Sequence, residues 1–419
     1  MSFTVRILHV IPHYYPAVRY GGPIRSVHGL AAASAALGHD VHVYTTNIDG
    51  PSVSNVAVGV PVDRDGVKVW YFPIGLGRKV FRSAGLARAL RATVASFDIV
   101  HIHYVWTWPT VIAAAAARQA GVPYVLCPRG MLVADLIRRR NGLAKRIWLR
   151  LFDRRTVAGA AAIHVTAESE AADVAALGLN PRRVAVIPNG IDLPRDALSP
   201  DGGAMPAAVP AGDRTVLFLG RINWKKGLDR LIPAMAKVPG ARLVIAGYDE
   251  NGYQSHVAEL AAEAGIAERT EFPGPVEGAD KWSLIRNAAC LVLPSYHENF
   301  GMVVIEAMAV GCPVVVTEEV GLAATVRQAG CGLVVSGDAD ALASAIAHIL
   351  RDEAARSAMS AAGPLVVRER FSWERIAHQA DDLYRECLGQ NAVGREHPLG
   401  TPVSTAVRFA PETGTPVLR

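Results

Sequence analysis

At 419 residues, the chain exceeds the size at which a single hydrophobic core stops growing, so two domains are expected. Hydrophobic residues make up 51% of the chain and charged residues 19%, which excludes disorder over most of its length. The formal net charge of +5 suits phosphate, anionic lipid or nucleic acid without choosing among them. Five widely spaced cysteines, with no CxxC pair, favour reduced cytosolic thiols over disulfides or a zinc site.

The first apolar run is interrupted by His9 and Pro12, so it predicts a buried strand and not a signal peptide. The most apolar late segment, 302–316, carries Glu306 in its middle and is too short to span a bilayer. We therefore expect a cytoplasmic protein without a membrane-spanning helix.

Short apolar runs alternate with Ala-rich helical patterns, which predicts parallel sheets covered on both faces. In the first half the expected strands are 5–11, 41–45, 99–101 and 124–127. The pattern restarts near residue 215, which predicts a second doubly wound unit. Its expected strands are 215–219, 241–246, 290–293 and 313–317, and its expected helices are 228–238, 254–264 and 302–310.

The boundaries between these units follow from composition. Residues 193–213 are rich in Pro and Gly and lack periodicity, which predicts a hinge between a domain at 1–192 and a domain at 214–370. An amphipathic pattern at 371–387 predicts a last helix that completes the first domain. Residues 389–419 are predicted to form a loose tail.

Two glutamates in the segment 294–316 carry the strongest chemical signal. Glu298 lies in a turn after an expected strand, and Glu306 lies on the helix that follows. Parallel sheets bind ligands at the carboxyl ends of their strands, where amides at a helix start favour anionic groups. Carboxylates accept hydrogen bonds from vicinal sugar hydroxyls. The spacing alone also fits one solvated and one capping glutamate.

Two cations stand at a second strand end. Arg221 and Lys226 lie between Gly220 and Gly227, directly after the expected strand 215–219. Cations at such a position can bind a phosphate and stabilise it as a leaving group. Considered alone, the segment also fits a solvated basic turn.

Further candidates follow expected strands of the first domain. Gly21 and Gly22 come after the first strand and open a helix, where glycines let the backbone approach a ligand closely. His101 and His103 end a strand and point to the same face. Arg129 follows the strand 124–127.

Taken in order, these motifs resemble the family 4 retaining glycosyltransferases of the GT-B fold. The E-x7-E signature of that family matches Glu298 and Glu306, and its GR-x4-KG element matches 220–227. The resemblance covers 5–387. It implies two Rossmann-like doubly wound parallel-sheet domains that face each other across a cleft, with the nucleotide-sugar donor bound mainly by the second.

The resemblance also implies roles for the candidate residues. Glu298 would contact hydroxyls of the donor sugar, Glu306 the ribose hydroxyls, and Arg221 with Lys226 the diphosphate. The better match to the family's histidine near the transferred sugar is His103. Apart from the resemblance, Arg129 is expected to meet the acceptor because it follows a strand at the cleft. The residues implied to complete the donor site are Gly21, Gly22, Asn299, Phe300, Gly301 and Met302. The residues implied to act in catalysis are His103, Arg221, Lys226 and Glu298.

The family's chemistry implies a hexosyltransferase without a cofactor or metal. The leaving diphosphate, UDP or GDP, would help to deprotonate the acceptor hydroxyl on the face that it leaves. The cations would take the place of a metal. Asp63 and Asp65 have the spacing of a metal motif but are predicted to lie in a turn.

The basic segment 138–155 interleaves cations with an apolar stripe, namely Ile147, Trp148, Leu151 and Phe152. It predicts either a helix on an anionic membrane or a surface helix that packs on its own domain. Nucleic acid is not expected, because no recognisable binding motif accompanies the charge. The membrane alternative favours a lipid-linked glycan acceptor in surface-polysaccharide biosynthesis, with the protein peripheral to the inner face of the plasma membrane.

Two other functions remain compatible with a double Rossmann layout. One is a nucleotide-sugar epimerase of GT-B-like fold. The other is a catalytically inactive carbohydrate-binding or scaffold protein. Against the inactive protein stands the presence of every principal candidate residue, which loss of activity would be expected to change, namely Glu298, Glu306, Arg221, Lys226 and His103.

Overall fold

The computed structural model describes residues 4–134, 137, 142–192 and 214–392. Contacts among these residues divide the chain into two units. The first unit runs to Pro188 and resumes at Trp373, and the second comprises the described residues from Asn189 to Ser372. The expected hinge, 193–213, lies outside the described residues, as does the expected tail beyond residue 392.

In the described part of the first unit, one sheet contains eight strands in the order β10-β9-β8-β7-β1-β2-β6-β5. All neighbours are parallel except the edge pair of β5 with β6. The strands are β1 (Arg6–Val10), β2 (Asp40–Thr46), β5 (Pro61–Arg64), β6 (Val67–Phe72), β7 (Ile99–His103), β8 (Tyr124–Cys127), β9 (Ala162–Val165) and β10 (Val184–Val186), and a separate hairpin pairs β3 (Ile48–Asp49) with β4 (Ser52–Val53).

The α-helices that follow these strands in the described residues are α1 (Gly22–Ala36), α2 (Ala84–Thr93), α3 (Trp108–Ala120), α4 (Gly142–Trp148), α5 (Arg154–Gly159) and α6 (Glu168–Ala176). A π-helical turn, Leu149–Asp153, joins α4 to α5. Separate hydrophobic clusters include opposite-facing residues of β1, such as Ile7 and Leu8. Because helices cover both faces, the central strands are buried along almost their whole length, including the histidines of β1 and β7.

In the second unit, six parallel strands take the order β13-β12-β11-β14-β15-β16. They are β11 (Thr215–Leu219), β12 (Arg242–Ala246), β13 (Thr270–Gly274), β14 (Cys290–Leu293), β15 (Val314–Thr317) and β16 (Gly332–Val335). The α-helices of this unit are α7 (Leu228–Ala236), α8 (Tyr253–Glu263), α9 (Gly278–Arg286), α10 (Met302–Ala309), α11 (Ala323–Ala329), α12 (Ala339–Arg351) and α13 (Glu353–Arg370).

The strand order of each sheet reverses at one point, which is where open parallel sheets bind ligands. In the first unit the reversal falls between β1 and β7, and in the second between β11 and β14. The fold class predicted from sequence, two Rossmann-like doubly wound sheets, is therefore confirmed. Most candidate residues follow or end the strands that flank these two reversals, and Arg129 follows β8, the next strand beside β7.

The last helix, α14 (Trp373–Ala392), belongs to the first unit. It packs against α1, and the side chains of Leu383 and Tyr384 enter the core on that face of the sheet. The helix was expected to end at residue 387 and to be followed by a tail. This boundary was wrong, because the helix continues for another turn after its core-facing side chains end.

A second correction concerns the edge of the first sheet. The segment of Asp63 and Asp65 was expected to be a turn, but Asp63 lies in β5 and pairs with Lys68 of β6. Only Asp65 and Gly66 form the turn, both with positive φ. The alternating burial of β5 is typical of a half-exposed edge strand.

A search of the described residues finds no helix that is long and apolar enough to cross a membrane.

The packing of α1 against α14 can be tested at Gly29. A Cβ atom at this position would lie 2.1 Å from the ring of Trp373. We expect Gly29→Ala to lower the free energy of unfolding by about 1 to 3 kcal/mol through overpacking. The measurement is urea-induced unfolding. Gly389→Ala is the matched control in α14, where no atom lies within 4 Å of the added carbon, and an equal effect of the two changes would contradict this packing.

Candidate active site

A close backbone contact joins two strand-end loops of the second unit. Gly227 has φ +68°, and a Cβ atom there would lie 2.0 Å from the carbonyl oxygen of Pro294. The N–H of Tyr296 donates to the carbonyl of Lys225 over 2.8 Å. Only glycine fits such an approach without strain. The loop that follows β11 therefore contacts the loop that follows β14.

This contact brings a predicted cation to a predicted carboxylate. Nζ of Lys226 forms an ion pair with Oε2 of Glu298, and the two side chains are only 16% and 21% exposed. The backbone of Glu298 is fixed by the loop after β15, since its N–H donates to Glu319 and its carbonyl accepts from Gly321. Partial burial reduces the screening of this pair by solvent.

The second carboxylate is also paired. Glu306 on α10 places Oε1 3.0 Å from Nζ of Lys281 on α9, and these side chains are 14% and 12% exposed. Sequence reasoning missed Lys281, because it stands 25 residues before Glu306 on a different helix and belongs to no recognised motif.

Arg221 occupies a more open position. Its Nη1 lies 2.9 Å from Oε2 of Glu250, and its side chain is 57% exposed. Nδ2 of Asn223 donates to the same carboxylate oxygen over 3.0 Å. Glu250 was also not predicted from sequence, although a carboxylate shortly after the end of a strand, here β12, is typical of a ligand site.

The start of α10 supplies backbone donors beside Glu298. Gly301 has φ +95° and precedes Met302, the first residue of the helix; the N–H of Val304 donates to the carbonyl of Gly301, whereas those of Met302 and Val303 have no acceptor within the helix. The ring of Phe300 is buried and contacts the ring of Phe371. Asn299 is partly exposed. Phe300 could therefore contact a ligand through its backbone only.

The candidates of the first unit also come together. Gly21 has φ +87°, and Gly22 begins α1. In the first turns of this helix, Oγ of Ser26 accepts a hydrogen bond from Nη1 of Arg129 over 3.0 Å. Nη2 of Arg129 lies 3.4 Å from Nδ1 of His103. These residues follow or end β1, β7 and β8.

His103 itself is buried, with only 1% of its surface exposed. Its Nε2 lies 3.0 Å from Nδ1 of His9, and burial holds the pKa of His103 well below its usual value of 6.5. The neutral ring accepts from Arg129 at Nδ1, so the proton is assigned to Nε2, which donates to His9. In this hydrogen-bonded series of His9, His103 and Arg129, only Arg129 is partly exposed.

His101 has a structural role in a second series of hydrogen bonds. Its Nδ1 lies 2.7 Å from the hydroxyl of Tyr384 on α14, and its Nε2 lies 3.2 Å from Nδ1 of His164. Nε2 of His164 in turn donates to the carbonyl of Ile187 over 2.8 Å. Along this series each hydrogen-bond donor meets an acceptor when both imidazole rings are neutral.

Two groups of side chains here have the geometry to hold a metal ion. Their ligand atoms lie within 4.8 Å of one another in the sets His9, His101 and His103, and His101, Cys127 and His164. No metal was predicted from sequence. Burial raises the pKa of the Cys127 thiol to about 12, so that this group stays protonated at neutral pH.

Backbone strain concentrates at the ends of β7 and β8. Tyr104, Trp106 and Arg129 all have positive φ, at 72°, 61° and 57°. Such conformations are uncommon for non-glycine residues and cluster at functional sites. The N–H of Trp106 donates to Oδ2 of Asp153 over 3.4 Å, and burial raises the pKa of Asp153 to about 7.

The neutral histidines predict that stability depends on pH. Burial lowers the pKa of His9 and of His164 from 6.5 to about 3 and keeps those of His101 and His103 well below 6.5. Below about pH 6.5 the unfolded chain binds more protons, so stability falls on acidification. Asp153 acts in the opposite sense, but it is one group against four. We expect urea unfolding to give a lower free energy at about pH 5.5 than at about pH 7.5.

His164→Gln should reduce this pH dependence, whereas His256→Gln, at an exposed position, should leave it unchanged. A free energy of unfolding that is the same at the two pH values, or higher at about pH 5.5 than at about pH 7.5, would show that the histidines are not buried in neutral form.

Comparison with known proteins identifies the family of both halves. Residues 206–366 match the family described as glycosyl transferases group 1, and residues 21–190 match the glycosyl transferase 4-like domain. The D-inositol 3-phosphate glycosyltransferase of Mycobacterium marinum is 32% identical over 393 residues, which cover 88% of this chain and 82% of that protein.

Solved structures agree on the fold. Sucrose-phosphate synthase of Thermosynechococcus elongatus has a TM-score of 0.73 and 25% identity, covering 92% of this chain and 100% of that one. Anabaena HepE, solved in complex with UDP-glucose, has a TM-score of 0.68 and 19% identity over 91% and 100% of the two chains, and so supports the fold alone. The chain therefore belongs to the family 4 glycosyltransferases and is an enzyme of the hexosyltransferase class with the GT-B fold.

Proposed function

We propose that the protein transfers a hexose, with retention of configuration, from a UDP- or GDP-linked sugar to a hydroxyl acceptor. The observation that carries this proposal is the partly buried Lys226–Glu298 pair at the strand-order reversal of the second unit. A phosphate and a sugar hydroxyl are the natural ligands of such a cation and carboxylate. The epimerase and the inactive scaffold are the alternatives.

In the proposed reaction, Lys226 and Arg221 stabilise the diphosphate as the bond between it and the sugar anomeric carbon breaks. The acceptor oxygen forms its bond on the same face and passes its proton to the departing phosphate oxygen. Glu298 orients the sugar hydroxyls, and Glu306 accepts the ribose hydroxyls. No cofactor or metal takes part, because the cations neutralise the developing charge.

On the first unit, the glycine loop and two side chains take part in the proposed reaction. The backbone at Gly21 and Gly22 approaches the donor phosphate and sugar. His103 lies near the transferred sugar and acts with Arg129, which Ser26 holds. Arg129 is the residue proposed to meet the acceptor.

The donor half of the proposal is tested by nucleotide release from UDP- and GDP-sugars without acceptor, in excess EDTA. We expect slow release from one or two donors by the wild type. Glu298→Ala and Lys226→Met should lower it by about 100-fold or more, since each removes a charge that contacts the reacting groups. Glu271→Ala, in an exposed pair with Arg242, is the control and should keep full release.

Other outcomes of this assay would contradict the mechanism or support one of the two alternative functions. Release that requires a divalent cation would contradict the metal-independent mechanism. Conversion of a donor to its epimer without release would support the epimerase, and nucleotide binding without turnover of any donor would support the inactive scaffold.

For the acceptor we propose a lipid-linked glycan of surface-polysaccharide biosynthesis, bound at the inner face of the plasma membrane. The supporting observation is an exposed apolar stripe at a spacing of four residues, Leu143, Ile147 and Leu151. Beside it, an exposed basic row follows the same spacing, Arg146, Arg150 and Arg154. Such a surface fits the boundary of an anionic bilayer.

The stripe differs from the one expected from sequence. Trp148 and Phe152 are half-buried and contact each other, with ring centroids 4.8 Å apart, so they are not free to enter a bilayer. Residues 138–141 of the predicted segment lie outside the described residues. The acceptor named for the mycobacterial relatives, D-inositol 3-phosphate, makes a soluble polyol phosphate the second candidate.

The membrane contact is tested by flotation with vesicles that contain phosphatidylglycerol. Replacing both Ile147 and Leu151 with Asp should abolish flotation, because it removes the apolar contact and adds charges that anionic lipid repels. Leu365→Asp, at an exposed leucine of the second unit, is the control and should float like the wild type. Unchanged flotation of the double variant would refute this surface, and transfer to inositol phosphate without vesicles would favour the soluble acceptor.

A further inference from the structure

Lys281 is held in place by two contacts in the second unit. Its Nζ lies 3.0 Å from Oε1 of Glu306 and 4.5 Å from the ring centroid of the neighbouring Trp282. The side chain is only 12% exposed, so that a long and otherwise mobile group is confined to one region. An ammonium over an aromatic ring and beside a carboxylate is favoured by both.

Glu306 depends on this lysine more than an exposed glutamate would. A carboxylate that is 14% exposed loses hydration, and a nearby cation compensates for that loss. Lys281 contacts Oε1, while Oε2 of Glu306 accepts no hydrogen bond from the residues that the structure describes. One carboxylate oxygen is thus fixed and the other remains available to a ligand.

We propose that Lys281 is a positioning residue for the nucleotide, which holds Glu306 ready to accept the ribose hydroxyls. This inference rests on the proposed function and extends it to a residue outside the family motifs. Lys281 also neutralises a negative charge in the site of a diphosphate ligand. Since Lys226 already compensates Glu298, loss of Lys281 would leave the charge of Glu306 without its partner.

The alternative is a purely structural tie between α9 and α10. That role predicts a lower melting temperature and no selective change in nucleotide affinity. A positioning role predicts weaker nucleotide binding and a raised KM for the donor, with kcat nearly unchanged, because the ribose contact is made equally in ground and transition states.

The experiment is titration calorimetry of UDP and of GDP, with the KM and kcat of donor hydrolysis for the nucleotide that binds. Lys281→Met should weaken binding and raise KM by about tenfold, the effect of losing one charge-assisted contact. Lys281→Arg should restore most of the affinity, because it keeps the charge. Lys237→Met, which breaks an exposed pair with Asp340, is the matched control and should bind like the wild type.

Combining Lys281→Met with Glu306→Gln should add little to either single loss, because both changes act through one contact. Lys281→Gln supplies the same test if the methionine variant does not fold. Full affinity in the methionine or glutamine variant, or a fall in kcat at constant KM, would overturn the inference. Failure of the wild type to bind either nucleotide would instead refute the proposed function.

Discussion

The contact between Gly227 and the carbonyl of Pro294 is the constraint on which the candidate donor site depends. It holds the loop after β11 against the loop after β14, so that a cation and a carboxylate from distant parts of the sequence meet at the strand-order reversal. A side chain at position 227 would separate the loops. The glycine that ends the GR-x4-KG motif is therefore required for steric reasons, and Lys226 in the same motif supplies the charge.

In the first unit, neutral side chains hold the strand ends in place. Its strand ends carry buried histidines that hydrogen-bond to one another through one or both ring nitrogens, and the hydrogen-bonded series that contains His101 reaches Tyr384 of the last helix. Arg129 joins this network beside Ser26 and His103, and the buried carboxylate of Glu170 accepts a hydrogen bond from the N–H of the adjacent Gly130. The histidines thus support a single cation whose backbone is held in a sparsely populated conformation.

The sequence predicted the architecture well because continuous apolar strands and Ala-rich helices leave few alternatives. Strands such as Tyr124–Cys127 and Thr215–Leu219 agree residue for residue with expectation. Helix ends were less certain, since α14 continues past its last core-facing residue. The edge strand β5 was mistaken for a turn because its half-exposed pattern offers little apolar signal.

Motifs located the glutamates and cations, but they could not supply partners. Lys281 and Glu250 lie outside any motif, and only tertiary packing brings them to Glu306 and Arg221. The sequence placed Trp148 and Phe152 in one apolar stripe with Ile147 and Leu151 and left open whether that stripe is exposed. In the structure the two rings contact each other, and the exposed apolar groups are Leu143, Ile147 and Leu151. Helical spacing predicts which side chains share a face of a helix, but it does not predict which face packs against the rest of the protein.

We propose that the strand-end loops of the second unit bind the nucleotide. Hydrogen–deuterium exchange with and without saturating UDP or GDP tests it most directly. We expect the nucleotide to slow exchange at 220–227 and 298–306, because the proposed function has the backbone amides of these segments contact the phosphate and ribose. Protection confined to the first unit, or no protection by either nucleotide, would contradict it.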